Sequence, residues 1–263
     1  MSDRSSEPET LAEGTLISHL LELRDRLLRA FVVVAVLALP CLYFANEIFE
    51  FVARPLMAKL PEGATMIATS VMAPFMTPVK TAIVAALFLA MPFVLYQAWA
   101  FVAPGLYRHE KRFAIPLLLS SIVLFYAGVA FAYYAVFPLM FAYFAMTTPH
   151  GVTMMTDINS YLDFVLMLFF AFGVAFEVPV ATVLLVLTGL VKVETLSRNR
   201  GYVLIGIFIV AAFLTPPDAI SQSAMAIPMY LLYEFGILMS RAMLRARAKR
   251  ETELHAEEKE ADA

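Results

Sequence analysis

Charge-free runs set the pattern of this chain. Residues 30–46 contain no Asp, Glu, Lys or Arg, and neither do residues 81–107, 113–156 and 201–217. Residues 162–191 are interrupted only by Asp163 and Glu177, and residues 219–240 only by Glu234. A helix that crosses a bilayer needs about 20 mostly apolar residues. The runs therefore predict six spans, at about 27–46, 79–103, 113–138, 162–189, 200–216 and 219–240. The third run is too long for one helix, and Pro138, Pro149 and Gly151 predict a span that stops near 138 and passes into an outer loop. Spans five and six are short and meet in a tight hairpin at Thr215-Pro216-Pro217-Asp218. Between spans one and two, Pro55, Pro61, Pro74 and Pro78 argue against a continuous helix.

Ahead of the first span, Leu16, Leu20, Leu23 and Leu27 recur at helical spacing. They predict an amphipathic lead-in helix, with Thr15 as its N-cap. The fold class is an all-α integral membrane protein of six transmembrane helices. The membrane domain covers 15–245, between an acidic mobile tail at 1–14 and a charged tail at 246–263.

Lysine and arginine choose the orientation. With both termini inside, the inner segments hold 16 of the 19 Lys and Arg, and the outer segments hold only Arg54, Lys59 and Lys80. The expected topology is multi-pass with both termini cytoplasmic. The net charge of −3 conceals a basic body, since the first 14 residues carry −3, the last 13 carry −5, and 15–250 carry +5.

Composition narrows the function. The chain is 61% hydrophobic and 16% charged, with mean hydropathy +0.78, against about 25% charged residues in a soluble domain. That balance argues against a soluble enzyme, a coiled coil and a nucleic-acid binder. No P-loop, dinucleotide fingerprint or His-Glu-x-x-His is present. His19, His109, His150 and His255 are scattered, so neither a metal site nor a cofactor is expected, and no histidine lies deep in a span to serve an intramembrane nucleophile. Cys41 is alone, which excludes an intrachain disulfide. The acidic first 14 residues do not read as a cleavable signal peptide. No internal repeat is evident, which counts against repeat-built transporters.

Four places carry candidate chemistry. Glu22 and Arg26 stand four apart on the lead-in helix, either as an ordinary surface ion pair or as part of a binding site. Glu110 lies in a basic inner loop after the turn Pro104-Gly105. Glu177 sits near mid-span beside Pro179, where a carboxylate costs at least ~2.5 kcal/mol. It faces either a cavity or a neighbouring helix, and Pro179 invites a kink. On the last hairpin, Asp218 reads as an N-cap, and Gln222 one turn further needs a partner for its amide.

Together these segments resemble the TatC family, a subunit of the twin-arginine protein translocase. The resemblance covers roughly 15–245. It rests on His19-Leu20-x-Glu22-Leu23-Arg24-x-Arg26, Phe101-x-x-Pro104-Gly105-Leu106-Tyr107-x-x-Glu110, Phe172-Gly173-x-x-Phe176-Glu177-x-Pro179 and Thr215-Pro216-Pro217-Asp218. It implies a glove-shaped bundle with a concave face in the bacterial inner membrane. It also implies binding of twin-arginine signal peptides of folded cargo, single-span TatA- and TatB-type partners, further copies of the chain itself, and use of the proton-motive force. By motif match, Glu22 and Glu110 would contact the signal peptide. Arg24 would support the first site, and Phe101 and Pro104 would shape the second. Glu177 would face the hollow, Thr215 and Gln222 would meet partner helices, Pro55 would brace the outer loop and Asp218 the final turn. Many relatives carry an acidic residue just before span two, which residues 73–78 lack. The loop 190–199 matches no family motif. The competing reading is a proton-coupled small-molecule transporter with Glu177 as carrier.

The chemistry is compatible with the resemblance. A guanidinium fork makes bidentate bonds to a carboxylate, each charge-assisted bond being worth roughly 1.5–3 kcal/mol. Two carboxylates at one membrane face would therefore favour arginine over lysine.

Overall fold

The computed structural model describes residues 7–58, 65–102, 111–147, 155–215 and 219–261. Ten α-helices appear among them: α1 (Glu7–Tyr43), α2 (Ala45–Met57), α3 (Ala73–Val102), α4 (Lys111–Phe131), α5 (Phe137–Thr147), α6 (Ile158–Ala175), α7 (Val178–Leu187), α8 (Val193–Arg198), α9 (Arg200–Leu214) and α10 (Ala219–Ala261). A π-helical turn, Ala132–Val136, joins α4 to α5. Extended pairing among the described residues is a single parallel bridge, Ile67 to Asp157.

Five helical stretches are long and apolar enough to cross a membrane, and α9 is a shorter apolar helix. At 15 residues α9 is about 22 Å long, less than a hydrocarbon core of about 30 Å. α1 packs along α3 at one edge of the bundle. α3 continues to α4 and α6, and α7 carries α10, which in turn holds α8 and α9 at the opposite edge. Phe31, Val32, Val36 and Leu39 of α1 are exposed, as a lipid-facing edge helix requires.

The third span departs from the sequence expectation. It does not stop near Pro138 but runs through α4, the π turn and α5 to Thr147. A proline inside a regular helix removes one backbone donor and crowds the carbonyl four residues back. The π turn immediately ahead of Pro138 widens the ladder there, which lets the helix continue. Both ends of the chain are also more helical than expected. α1 begins at Glu7, so Thr15 lies inside the helix rather than capping it, and the 7–14 part of the expected tail is continuous with span one. α10 runs on without a break to Ala261 through the expected charged tail.

The largest core lies where α4 and α5 meet α6. Phe125, Phe137, Leu162, Val165, Leu168 and Phe172 are buried there. Two glycines permit the crossing. A Cβ on Gly128 would stand 2.5 Å from the carbonyl oxygen of Phe172, and one on Gly173 would stand 2.6 Å from the ring of Phe125. Each helix thus offers a glycine where the other presents bulk, and close backbone approach gives the van der Waals contact on which helices in lipid depend.

The end of the bundle away from the chain termini is tied by polar contacts. Asp157 caps α6 by accepting from the Ser160 backbone N–H at 3.0 Å, and its other oxygen accepts from the Thr69 N–H at 3.1 Å and the Thr69 hydroxyl at 2.9 Å. These bonds from backbone and hydroxyl donors hold its carboxyl down to about 2. Thr77 bonds Asn159 and Lys80 pairs with Asp163 across the same junction of α3 and α6.

Candidate functional site

The part of α1 ahead of its apolar stretch and the C-terminal end of α3 build one compact constellation. Glu22, half-buried on α1, accepts from Arg26 one turn later, from Nε at 2.9 Å and Nη2 at 2.6 Å, both on Oε1. The third Arg26 contact crosses to α3, where Nη1 donates to the side-chain oxygen of Gln97 at 3.3 Å. Gln97 is buried. His19, one turn before Glu22, stacks on Phe101 with ring centroids 4.1 Å apart and planes at 18°. Its Nδ1 lies 4.0 Å from Glu22 Oε2. The i, i+3 and i+4 spacing of His19, Glu22 and Arg26 puts all three on the α1 face that meets α3.

Arg24 lies off this face. It donates through Nε and Nη2 to Asp25 at 3.0 and 2.8 Å, and both residues are exposed. Arg26, rather than Arg24, is thus the arginine bonded to Glu22. Phe101 joins the Glu22 constellation through His19, whereas the sequence assigned it to the second site. Pro104, Glu110 and Asp218 lie outside the described residues. The segment 103–110 runs from the end of α3, one residue beyond the Phe101 stack, to the start of α4.

Glu177 occupies the break between α6 and α7, with Pro179 in the first turn of α7. Its backbone N–H bonds the carbonyl of Val174, three residues back, at 3.0 Å, so the ladder tightens where Pro179 interrupts it. The carboxylate turns toward α4. Oε2 accepts from the Ser121 hydroxyl of α4, and Ser121 Oγ in turn accepts from Trp99 Nε1 of α3 at 3.4 Å. Three spans are linked through one half-buried carboxylate. Its Oε1 is buried without a partner among the described residues.

The last two spans carry a second polar set. Thr215 is buried and donates to Ala211 O at 2.9 Å, while Gln222 Nε2 reaches across to Phe208 O at 2.9 Å, tying α10 to α9. Arg200, the first residue of α9, donates to both oxygens of Glu234 on α10 at 2.5 and 2.8 Å, and Tyr230 adds a bond at 3.0 Å. α8 docks on α10 nearby, through Tyr233 to Leu196 O at 2.9 Å and Arg241 to Ser197 at 2.6 Å. The loop that matched no motif is therefore a brace. Outward, Tyr202, Ile205, Ile209 and Phe213 form an exposed apolar stripe along α9. Among the described residues no group of three or more potential metal ligands is present.

Gln97, Ser121 and the Arg200–Glu234 pair were not singled out from sequence. The first two carried a usable signal, since each is a polar side chain inside a charge-free run.

Comparison with known proteins agrees with this arrangement. A family model described as Sec-independent protein translocase protein (TatC) matches residues 18–228. A Sec-independent protein translocase protein TatC of Azotobacter chroococcum mcd 1 is 56% identical over 243 residues, covering 92% of this chain and 95% of the relative. Its counterpart in Escherichia coli strain K12 is 55% identical over 226 residues, covering 86% and 88%. A crystal structure described as the twin arginine translocase receptor TatC superposes with a TM-score of 0.75 at 37% identity, covering 85% of this chain and 98% of that one. A second such structure, in the detergent DDM, gives 0.77.

Proposed function

This chain belongs to the TatC family of Sec-independent protein translocase proteins, and from that premise we propose that it is the signal-peptide receptor and assembly core of its translocase. It is a multi-span membrane component of a bacterial translocase, a transport protein in a family not known for enzymes. The proposed location is the inner membrane with both termini cytoplasmic, so that the constellation around Glu22 meets precursors before export.

One observation carries the reading. The Glu22 carboxylate is held against α3 by Arg26, which also bonds Gln97, and the His19–Phe101 stack joins the same two helices. Two carboxylates of this kind suit a ligand with two adjacent guanidinium groups. The apolar part of a signal peptide would continue along the exposed faces of α1 and α3. TatA- and TatB-type single-span partners would lie on the α9 stripe, next to the hairpin that Thr215 and Gln222 shape, and the proton-motive force would drive transport. Glu177, bonded between spans, would respond to helices that enter the bundle.

The test is photo-crosslinking of a twin-arginine precursor to probes placed beside the two carboxylates, at positions 21 and 109, in inserted protein. Crosslinks at both positions that a twin-lysine precursor loses are the expected result. Their absence at both overturns the reading.

A further inference from the structure

Glu22 and Arg26 would be an ordinary surface ion pair if α1 stood alone. Three features set them apart. Arg26 is the more covered partner, with its side chain 21% exposed against 38% for Glu22. Its guanidinium is fixed from two helices, by Glu22 on α1 and by buried Gln97 on α3. Both of its bonds to Glu22 fall on Oε1. Oε2 receives none of them, and among the described residues its neighbour is His19 Nδ1 at 4.0 Å, on a ring lying flat against Phe101.

We propose that Arg26, anchored by Gln97, is a positioning residue that saturates one oxygen of Glu22 and presents the other, beside the His19–Phe101 stack, to an incoming guanidinium. The proposal rests on the reading of Glu22 as a signal-peptide contact. A carboxylate offers about four lone-pair sites on two oxygens. With Oε1 occupied, the ligand finds a single oriented acceptor. A planar guanidinium donates to Oε2 while its face covers the neighbouring rings, and an ammonium makes the first contact without the second. The fixed carboxylate thus turns charge attraction into a preference for arginine. Without the anchor Glu22 rotates freely, accepts either cation, and loses rotamer freedom at each binding event.

The experiment uses the full chain in detergent with a fluorescent twin-arginine peptide and its twin-lysine counterpart, read by anisotropy. Four variants are compared: Arg26→Gln, Gln97→Met, Gln97→Glu and Glu22→Gln, each with its thermal unfolding curve. Arg26→Gln and Gln97→Met are expected to weaken twin-arginine binding about tenfold while twin-lysine binding moves less than about twofold, the scale of one charge-assisted bond. Gln97→Glu keeps an acceptor for Arg26 and restores the preference. Equal loss of both peptides in Arg26→Gln and Gln97→Met overturns the proposal, as does tighter binding of both, which would make Arg26 a competitor. If both keep the wild-type preference while Glu22→Gln abolishes it, the proposal fails and the receptor reading stands. If Glu22→Gln itself keeps the wild-type preference, that reading fails.

Discussion

The hydroxyl of Tyr133 donates to the carbonyl oxygen of Phe51 at 2.9 Å, and their rings stack with centroids 5.0 Å apart. Phe51 stands four residues before Pro55, which has no N–H to offer it. The same relation recurs seven residues earlier on span three. Tyr126 donates to Phe88 O at 2.9 Å, and Phe88 precedes Pro92 by four. Span three supplies two phenols to two backbone acceptors left open by prolines on its neighbours, as the pairing of buried backbone groups requires.

Tyr133→Phe is therefore expected to cost about 1 kcal/mol of stability in detergent, the usual scale for such a bond. In a Pro55→Ala background the new backbone N–H serves Phe51, and the same change should cost almost nothing. Additive costs in denaturant unfolding of the four proteins would show that Tyr133 acts elsewhere.

Trp99 is the single tryptophan of the chain, so intrinsic fluorescence reads its bond to Ser121 directly. Ser121→Ala removes the hydroxyl that links Trp99 to Glu177 and should shift the emission to the blue, with a loss of about 1–2 kcal/mol for the stranded carboxylate. Ser121→Thr should keep the emission near that of the parent. An unchanged spectrum for Ser121→Ala would remove the link.

Asp157 ties the α6 cap to the Thr69 segment as a carboxylate held at about 2, below its ordinary value. A lowered folded-state pKa adds stability above the unfolded-state value, and that stability is lost as the pH falls toward the folded-state value. The gap in melting temperature between the parent and Asp157→Ala should be constant from pH 8 to about 5 and shrink between about 4 and 2, where the unfolded chain takes up the proton before the folded protein does. A gap that persists unchanged at the acid end would assign the effect to packing.

Arg200 and Glu234 hold the N-terminal end of α9 to α10. Glu234→Ala should raise hydrogen exchange at the first turn of α9 about tenfold, with little change in the α4–α6 core, because local opening follows local contacts. Exchange that rises equally in both places would mean a global loss of stability.

Much of the scaffold could be read from charge spacing, since an apolar run in this chain is a span wherever 20 residues allow it. The break at Glu177 and Pro179 was legible for the same reason, as both residues violate the rules of an uninterrupted span. The course beyond Pro138 was not legible, because a proline reads as a stop unless the helix ahead of it can widen. Gln97 and Ser121 announced themselves as polar residues in apolar runs, yet their partners sit on other helices. Arg26 rather than Arg24 serves Glu22 because four residues make a little over one full turn and two make about half of one. The tyrosine–proline pairs depend on which spans lie side by side, and spacing along one chain does not encode that.

The π turn at Ala132–Val136 has one more consequence. It holds an extra residue in a helix that otherwise advances about 100° per position. With Pro138 replaced by alanine, losing one residue between 132 and 136 would return the backbone to a regular helix and leave the faces of α4 and α5 aimed as before. The same loss within α6 would swing everything beyond it out of register with its neighbours. The turn is thus a tolerance joint, a place where the third span can change length by one residue while the rest of the bundle keeps its alignment.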